Sequence, residues 1–252
     1  FGTIGKAITA VENEEVDFCV VPIENFYNGE VRETLDDLTE CSKTKIIKEK
    51  VLKIIYCIGA LENHDEIEEV LSKDQALEQC NKYLFKNYPK IKNVAVSSTS
   101  EAANKIAREN LLNSVAIASE EAVKEAGLKI LDKNICPGNK TRFVVIGRNK
   151  TEPTGDDKTF LAIHPSERDK PGTLANILNI FSSYSINLEN IQSRPDGQKG
   201  YYFYIELEGH EKDKIVKAAI EGISLSLDPK NKFPNTVKIL GSYQNSHWKG
   251  EN

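Results

Sequence analysis

PGTLANILNIF, residues 171–181, is the stretch on which the fold turns. Leu174, Ile177, Leu178 and Phe181 recur at i, i+3, i+4 and i+7, the spacing of one helical face. Pro171 stands where proline opens a helix, at its first position. Residues 159–163 upstream read as a strand. Downstream, 187–193 reads as a second strand, Pro195-Asp196-Gly197 as a turn, and 201–207 as a third strand. Ile215, Ala218, Ala219 and Ile220 mark a second helical face, and 237–240 closes the pattern as a last strand. The order is βαββαβ, a ferredoxin-like unit, assigned to residues 156–246.

Ahead of it, RNKTEPTGDD (148–157) is polar, carries Pro153 and Gly155, and has the composition of a linker. Residues 1–150 form a different pattern, in which short apolar runs alternate with helical periods. Strands are expected at 18–23, 54–60, 67–71, 94–96, 115–118 and 143–146. Helices are expected from Ile4, Ile8, Ala10 and Val11, from Ala76, Leu77, Cys80, Leu84 and Phe85, and over 100–111 and 120–126. Such alternation predicts an α/β domain of parallel sheets covered by helices.

Bulk properties narrow the function. The chain has 252 residues, is 39% hydrophobic, and carries a net charge of -5. An acidic balance argues against a nucleic-acid binder, which usually shows a basic face, and lysine-rich patches such as Lys43-Thr44-Lys45 read as solvated surface. No apolar run approaches the roughly 18 residues of a membrane span. Cys19, Cys41, Cys57, Cys80 and Cys136 show no CxxC pair, which points to a reducing, cytoplasmic compartment. Cys19, Cys57 and Cys80 sit in apolar contexts and read as small buried hydrophobes. His64, His164, His210 and His247 lack metal-ligand spacing, so neither a metal nor a cofactor is expected. Gly138-Asn139-Lys140-Thr141 ends like a phosphate loop, but Lys133 occupies the position of its first glycine. The chain opens on Phe1 and contains no methionine, which reads as a piece of a longer protein.

Several short motifs then occur in register. They are Val21-Pro22-Ile23-Glu24-Asn25, Gln75-Ala76-Leu77 with Cys80, Ser98-Thr99 with Glu101-Ala102-Ala103, and Asn139-Lys140-Thr141-Arg142-Phe143. Together they resemble the prephenate dehydratase family. The tail resembles its ACT regulatory domain through Pro171-Gly172-Thr173-Leu174, Ile191-Gln192-Ser193-Arg194-Pro195, 201–204 and 240–243. The resemblance implies a two-lobed, periplasmic-binding-protein-like catalytic domain over residues 1–150, with the site between lobes, followed by the ACT domain. It implies loss of a carboxylate and a ring hydroxyl from prephenate, giving phenylpyruvate, without metal or redox cofactor.

Residue by residue, the resemblance places Thr141 at the departing hydroxyl as a positioned donor. Arg142 offers a planar fork suited to a carboxylate. Phe143 packs near the substrate or belongs to the core. Asn25 has an amide that donates and accepts at once. Ser98 and Thr99 precede a helix, where hydroxyls and N–H groups bind a carboxylate or simply cap, and Gln75 stands near another helix start. The family's glycine-rich segment is expected before Phe1. Phe26-Tyr27 replaces a small hydroxyl residue after Asn25, so a bulky ring narrows the pocket or swings outward. Lys73-Asp74 replaces a histidine ahead of Gln75.

In the tail, the resemblance makes Gly172, Thr173, Leu174, Asn187, Gln192, Ser193, Arg194 and Pro195 effector contacts, with phenylalanine as effector. Glycine at 172 permits close backbone approach. Thr173 stands where alanine is usual, and Gln192 replaces a glutamate. The resemblance also implies a homodimer, or a dimer of dimers, through the ACT domain. Arogenate dehydratase, and a non-catalytic amino-acid-binding regulator of the same fold, are the alternatives.

Overall fold

The computed structural model describes residues 1–165, 171–197, 200–228 and 236–247. In chain order the elements begin with α1 (Ile4–Glu12), β1 (Phe18–Asn25), β2 (Gly29–Glu30), α2 (Arg32–Glu40), β3 (Lys45–Lys53), β4 (Cys57–Ala60) and β5 (Glu69–Ser72). There follow α3 (Asp74–Asn87), β6 (Lys92–Ala95), α4 (Thr99–Glu109), β7 (Ser114–Ala118), α5 (Glu120–Glu125), β8 (Lys129–Lys133) and β9 (Lys140–Gly147). The tail is β10 (Asp157–Ile163), α6 (Thr173–Ser183), β11 (Leu188–Pro195), β12 (Tyr201–Glu208), α7 (Lys214–Leu227) and β13 (Val237–Gln244). The predicted βαββαβ order stands.

The chain forms two compact units: Phe1–Glu24 with Glu30–Val51 and Arg142–Asn252, and Asn25–Gly29 with Leu52–Thr141. The first is built on an eight-stranded sheet in the order β11-β12-β10-β13-β3-β9-β1-β2. Its β10 is buried along its whole length because alternate side chains face opposite sides of a strand. Leu161 and Ile163 pack with Ile177, Phe181 and Ile223. Phe160 and Ala162 pack with Ile8, Val21, Leu38 and Val144. Residues on both sides of the polar 148–157 segment therefore share one core. The parallel pairing of β13 with β3 passes through Gly241 opposite Ile46.

The second unit is built on a five-stranded sheet, β6-β5-β7-β4-β8. Here β5 runs parallel to β6 and β7, whereas β4 is antiparallel to β7 and β8. The expectation of purely parallel sheets is corrected to mixed ones. The cause is local, because Cys57–Ala60 enters the sheet between strands of opposite sense without a crossover helix of its own.

Other readings also change. Pro171 stands outside α6, whose N-cap is Gly172 at φ 92°, a left-handed conformation that glycine adopts freely. Ile215 is 56% exposed, whereas Ala219 is buried as expected, together with Val216 and Ile223. Phe85 faces solvent from α3. The lysine-rich 43–45 stretch leads directly into β3, where Ile46 and Glu49 are buried. Cys19, Cys57 and Cys80 are buried as expected, and all five cysteines are free. Among the described residues no helix is long and apolar enough to cross a membrane.

Candidate functional site

The second unit contains a ring of three side-chain amides. Asn25 closes β1, and its Oδ1 accepts from the backbone N–H of Tyr27 (3.0 Å) and of Asn28 (3.2 Å). This local turn bonding is typical of asparagine. Because Oδ1 is committed to two N–H donors, Nδ2 must face the other way. It donates to Asn139 Oδ1 at 3.0 Å, to Thr141 Oγ1 at 2.9 Å and to the Lys140 carbonyl at 3.2 Å.

The chain of donors then closes on itself. Asn139 Nδ2 donates to Gln79 Oε1 at 3.0 Å, and Gln79 Nε2 donates back to Asn25 Oδ1 at 3.1 Å. Gln79 Nε2 also meets Asn28 Oδ1. Every amide in the ring donates to the next and accepts from the previous one, so the bonds polarise one another in one direction. Thr141 hangs from this ring as an acceptor. A hydroxyl has one proton and two lone pairs, and the proton of Thr141 has no acceptor among the described residues. It is left to donate to whatever occupies the space beyond it.

Backbone bonds hold the ring in place. Phe26 N donates to the Lys140 carbonyl at 2.9 Å, and Ile54 N to the Asn139 carbonyl at 2.8 Å. Tyr27 Oη donates to the Pro137 carbonyl at 2.9 Å, and Cys136 Sγ to the Gln79 carbonyl at 3.4 Å. Burial, and then the neighbouring Cys136, push the Cys80 thiol well above its ordinary range, so it stays protonated. Cys80 is completely buried and fills space in the core. Phe26 swings outward, 62% exposed, with its edge against Tyr27 at 5.6 Å between ring centroids.

Gln79 is the member that the sequence reading missed. It lies one helical turn after Gln75 on α3, next to Cys80 of the motif. A glutamine beside buried Ala76, Leu77 and Cys80 was the signal available. Gln75 itself is exposed. Ser98 caps α4, its Oγ accepting from Glu101 N at 3.0 Å, and Thr99 opens the helix. No direct bond joins these three residues to Asn25 or Thr141 among the described residues.

Arg142 belongs to the first unit and is completely buried. Its Nη2 donates to Glu24 Oε2 at 3.0 Å, and its Nη1 to Glu49 Oε2 at 3.1 Å and Glu206 Oε1 at 2.5 Å. The fork expected for a substrate carboxylate is filled by the protein's own carboxylates. Lys158 Nζ adds a bridge to Glu49 Oε1 at 2.9 Å. Burial raises the Glu49 carboxyl, but Lys158 and then Arg142 outweigh it, so its pKa lies below the usual carboxylate value. Phe143 is half-buried.

The expected effector residues fall on α6, β11 and the turn before β11. Gly172 and Thr173 start α6, with Leu174 half-buried behind them. Asn187 donates to Glu208 Oε1 at 2.7 Å. Gln192, Ser193, Arg194 and Pro195 follow one another on β11. Arg194 makes a two-pronged pair with Asp36 of α2, 2.5 Å on each side, and donates to the Arg32 carbonyl at 3.1 Å. A cavity of about 350 Å³ opens there, lined by Asp36, Arg194, Tyr202 and Tyr204 among others.

Comparison with known proteins yields consistent matches. The sequence model of prephenate dehydratase matches residues 1–151, and that of the ACT domain matches 167–224. A bifunctional chorismate mutase/prephenate dehydratase of Aquifex aeolicus is 38% identical over 246 residues, covering 96% of this chain. The chain spans 65% of that relative's length. A prephenate dehydratase of Methanocaldococcus jannaschii is 36% identical over 229 residues, covering 89% of this chain and 80% of that protein. Among solved structures, prephenate dehydratase from Arthrobacter aurescens in complex with L-Phe superposes with a TM-score of 0.84 at 31% identity. That match covers 98% of this chain and 81% of the other.

Proposed function

The chain belongs to the prephenate dehydratase family, and on that premise we propose that it converts prephenate to phenylpyruvate, carbon dioxide and water. The carbon–carbon bond to the ring carboxylate breaks, and its electron pair moves into the ring. The carbon–oxygen bond to the ring hydroxyl breaks at the far side, and the hydroxyl leaves as water once it gains a proton. Aromatisation drives both steps.

The observation that carries this reading is the Asn25-to-Thr141 hydrogen bond. It occupies a lone pair of Oγ1 and leaves the O–H to be donated to the leaving hydroxyl. A threonine hydroxyl is a weak acid, so Thr141 acts as a positioned donor, and solvent restores any proton it gives. Assistance of this kind is worth roughly 10² to 10⁴ in rate. With the Arg142 fork already filled, the substrate's carboxylates fall to Ser98, Thr99 and the first N–H groups of α4, with Gln75 as a further polar contact. A helix N-terminus favours an anion. Phe143 lies beside this donor in sequence and contributes apolar surface.

Phenylalanine is the proposed effector, held by Gly172, Thr173, Leu174, Asn187 and the Gln192–Pro195 segment. Feedback requires two states of unequal affinity for it. The proposed assembly is a cytoplasmic homodimer, or a dimer of dimers, through the ACT segment. Its β11 is the open edge of the eight-stranded sheet, with Ile191 42% exposed on it.

The deciding experiment follows phenylpyruvate formation from prephenate by the purified protein, with and without phenylalanine. Turnover that phenylalanine lowers supports both assignments. Turnover of arogenate alone moves the assignment to the aminated substrate, and turnover of neither leaves a binding protein of the same fold.

A further inference from the structure

Arg142 follows Thr141 on β9, and Glu24 precedes Asn25 on β1. The peptide bonds Glu24–Asn25 and Thr141–Arg142 are two of the four at which the chain passes from one compact unit to the other. The Asn25–Thr141 hydrogen bond therefore has, one residue behind each partner, a second bond: the 3.0 Å pair between Glu24 and Arg142. Alternation along a strand sends Arg142 to the face opposite Thr141. There it meets carboxylates that are not part of the amide ring.

One of those carboxylates comes from the ACT segment. Glu206, on β12, is fully buried and takes Arg142 Nη1 at 2.5 Å. Tyr243 Oη of β13 donates to the same Glu206 oxygen at 3.4 Å. A guanidinium is a rigid planar fork, so fixing Nη1 on Glu206 and Glu49 fixes the direction in which Nη2 reaches Glu24. Glu206 also lies in register with Asn190 of β11, and Tyr204 with Gln192. The expected effector motif is thus two residues along the ladder from the carboxylate that holds Arg142.

We propose that Glu206 is a positioning residue for Thr141. Through Arg142 and Glu24 it sets the spacing of β1 and β9 where Asn25 donates to the threonine. The proposal rests on the reading of Thr141 as donor.

The test is Glu206→Gln in the full chain, with Glu221→Gln, on the exposed part of α7, as control. Three quantities are read: kcat and KM for prephenate, the melting temperature, and the ¹⁵N side-chain amide resonances of Asn25 and Asn139. Glu206→Gln is expected to lower kcat at least tenfold with KM within about twofold, and to shift both amide resonances, whereas the control does neither. Should Glu206→Gln fail to fold, Tyr243→Phe removes only the hydroxyl that bonds Glu206. It should shift the same resonances and lower kcat about threefold. Unchanged kcat per folded molecule with unshifted amide resonances overturns the proposal. If the wild-type protein turns over no prephenate, the assigned reaction fails, and the resonances alone decide whether Glu206 positions the ring.

Discussion

Asn25 Nδ2 lies 2.9 Å from Thr141 Oγ1, and the direction of that bond is settled by the opposite end of the same amide, which accepts from two backbone N–H groups. The hydroxyl is an acceptor inside the protein and a donor outside it. Thr141→Val keeps the shape and removes the donor. We expect kcat to fall by about 10² to 10⁴, with an unchanged circular dichroism spectrum and melting temperature. Thr141→Ser should retain most of the rate, and a valine variant with near-normal turnover refutes the assignment.

The ring makes a second prediction. Asn139→Asp replaces the amide that donates to Gln79 with a group that cannot donate when ionised. Gln79 Oε1 loses its donor, and the buried polar group left behind costs about 1–3 kcal/mol. Asn139→Asp and Gln79→Glu should each lower kcat more than tenfold. The double variant Asn139→Ala/Gln79→Ala, which introduces no new charge, should cost little more than either alanine variant alone, because both interrupt one cycle. Additive losses in that double-mutant cycle would show that the amides act independently.

A pH dependence follows from Glu12. Its carboxylate accepts from the backbone N–H groups of Ser42, Lys43 and Thr44 and from the Ser42 hydroxyl, at 2.8–3.1 Å. Burial opposes ionisation, yet these donors outweigh it and bring the pKa from 4.5 to about 2. The folded-state pKa is depressed, so the stabilisation is present above the unfolded value and is lost as pH falls from about 4.5 to about 2. Glu12→Gln should be less stable at neutral pH and show a shallower acid limb, read from urea midpoints at a series of pH values.

Gly241 supplies a stability test. A Cβ there would run into the backbone carbonyl of Ile46 and come within 2.7 Å of the Ile46 side chain, at the point where β13 pairs with β3. Gly241→Ala should destabilise by about 1–3 kcal/mol, the usual cost of overpacking. It should open this seam first, which amide hydrogen exchange at Ile46 would report.

The sequence made some of this visible and hid the rest for physical reasons. The βαββαβ tail was legible because β10 and β12 carry short apolar runs that are buried on both faces, and α6 buries Ile177 and Phe181 at a helical period. On α7, Ala219 and Ile220 were found, but Val216 takes the place expected of Ile215, because both start a valid helical period and only packing against the sheet chooses between them. α2 escaped notice because Arg32–Glu40 offers just two leucines among charged residues. β3 was hidden by its lysines and by Glu49, a residue buried only because Lys158 and Arg142, more than ninety positions away, neutralise it. Thr141 and Asn25 were found through their motifs. The ring joining them was not, since no local pattern announces a closed cycle of amides drawn from three segments.

The core shared by β10 with β1, β9 and α2 has a consequence for modularity. A sequence divides naturally at the polar stretch 148–157, but a protein cut there would not yield two soluble halves. The leading piece would expose Val21, Leu38 and Val144 where Phe160 and Tyr204 had covered them, and would present β3 as an unprotected edge open to intermolecular pairing. Grafting a foreign regulatory tail onto the seam would require rebuilding this shared hydrophobic interior.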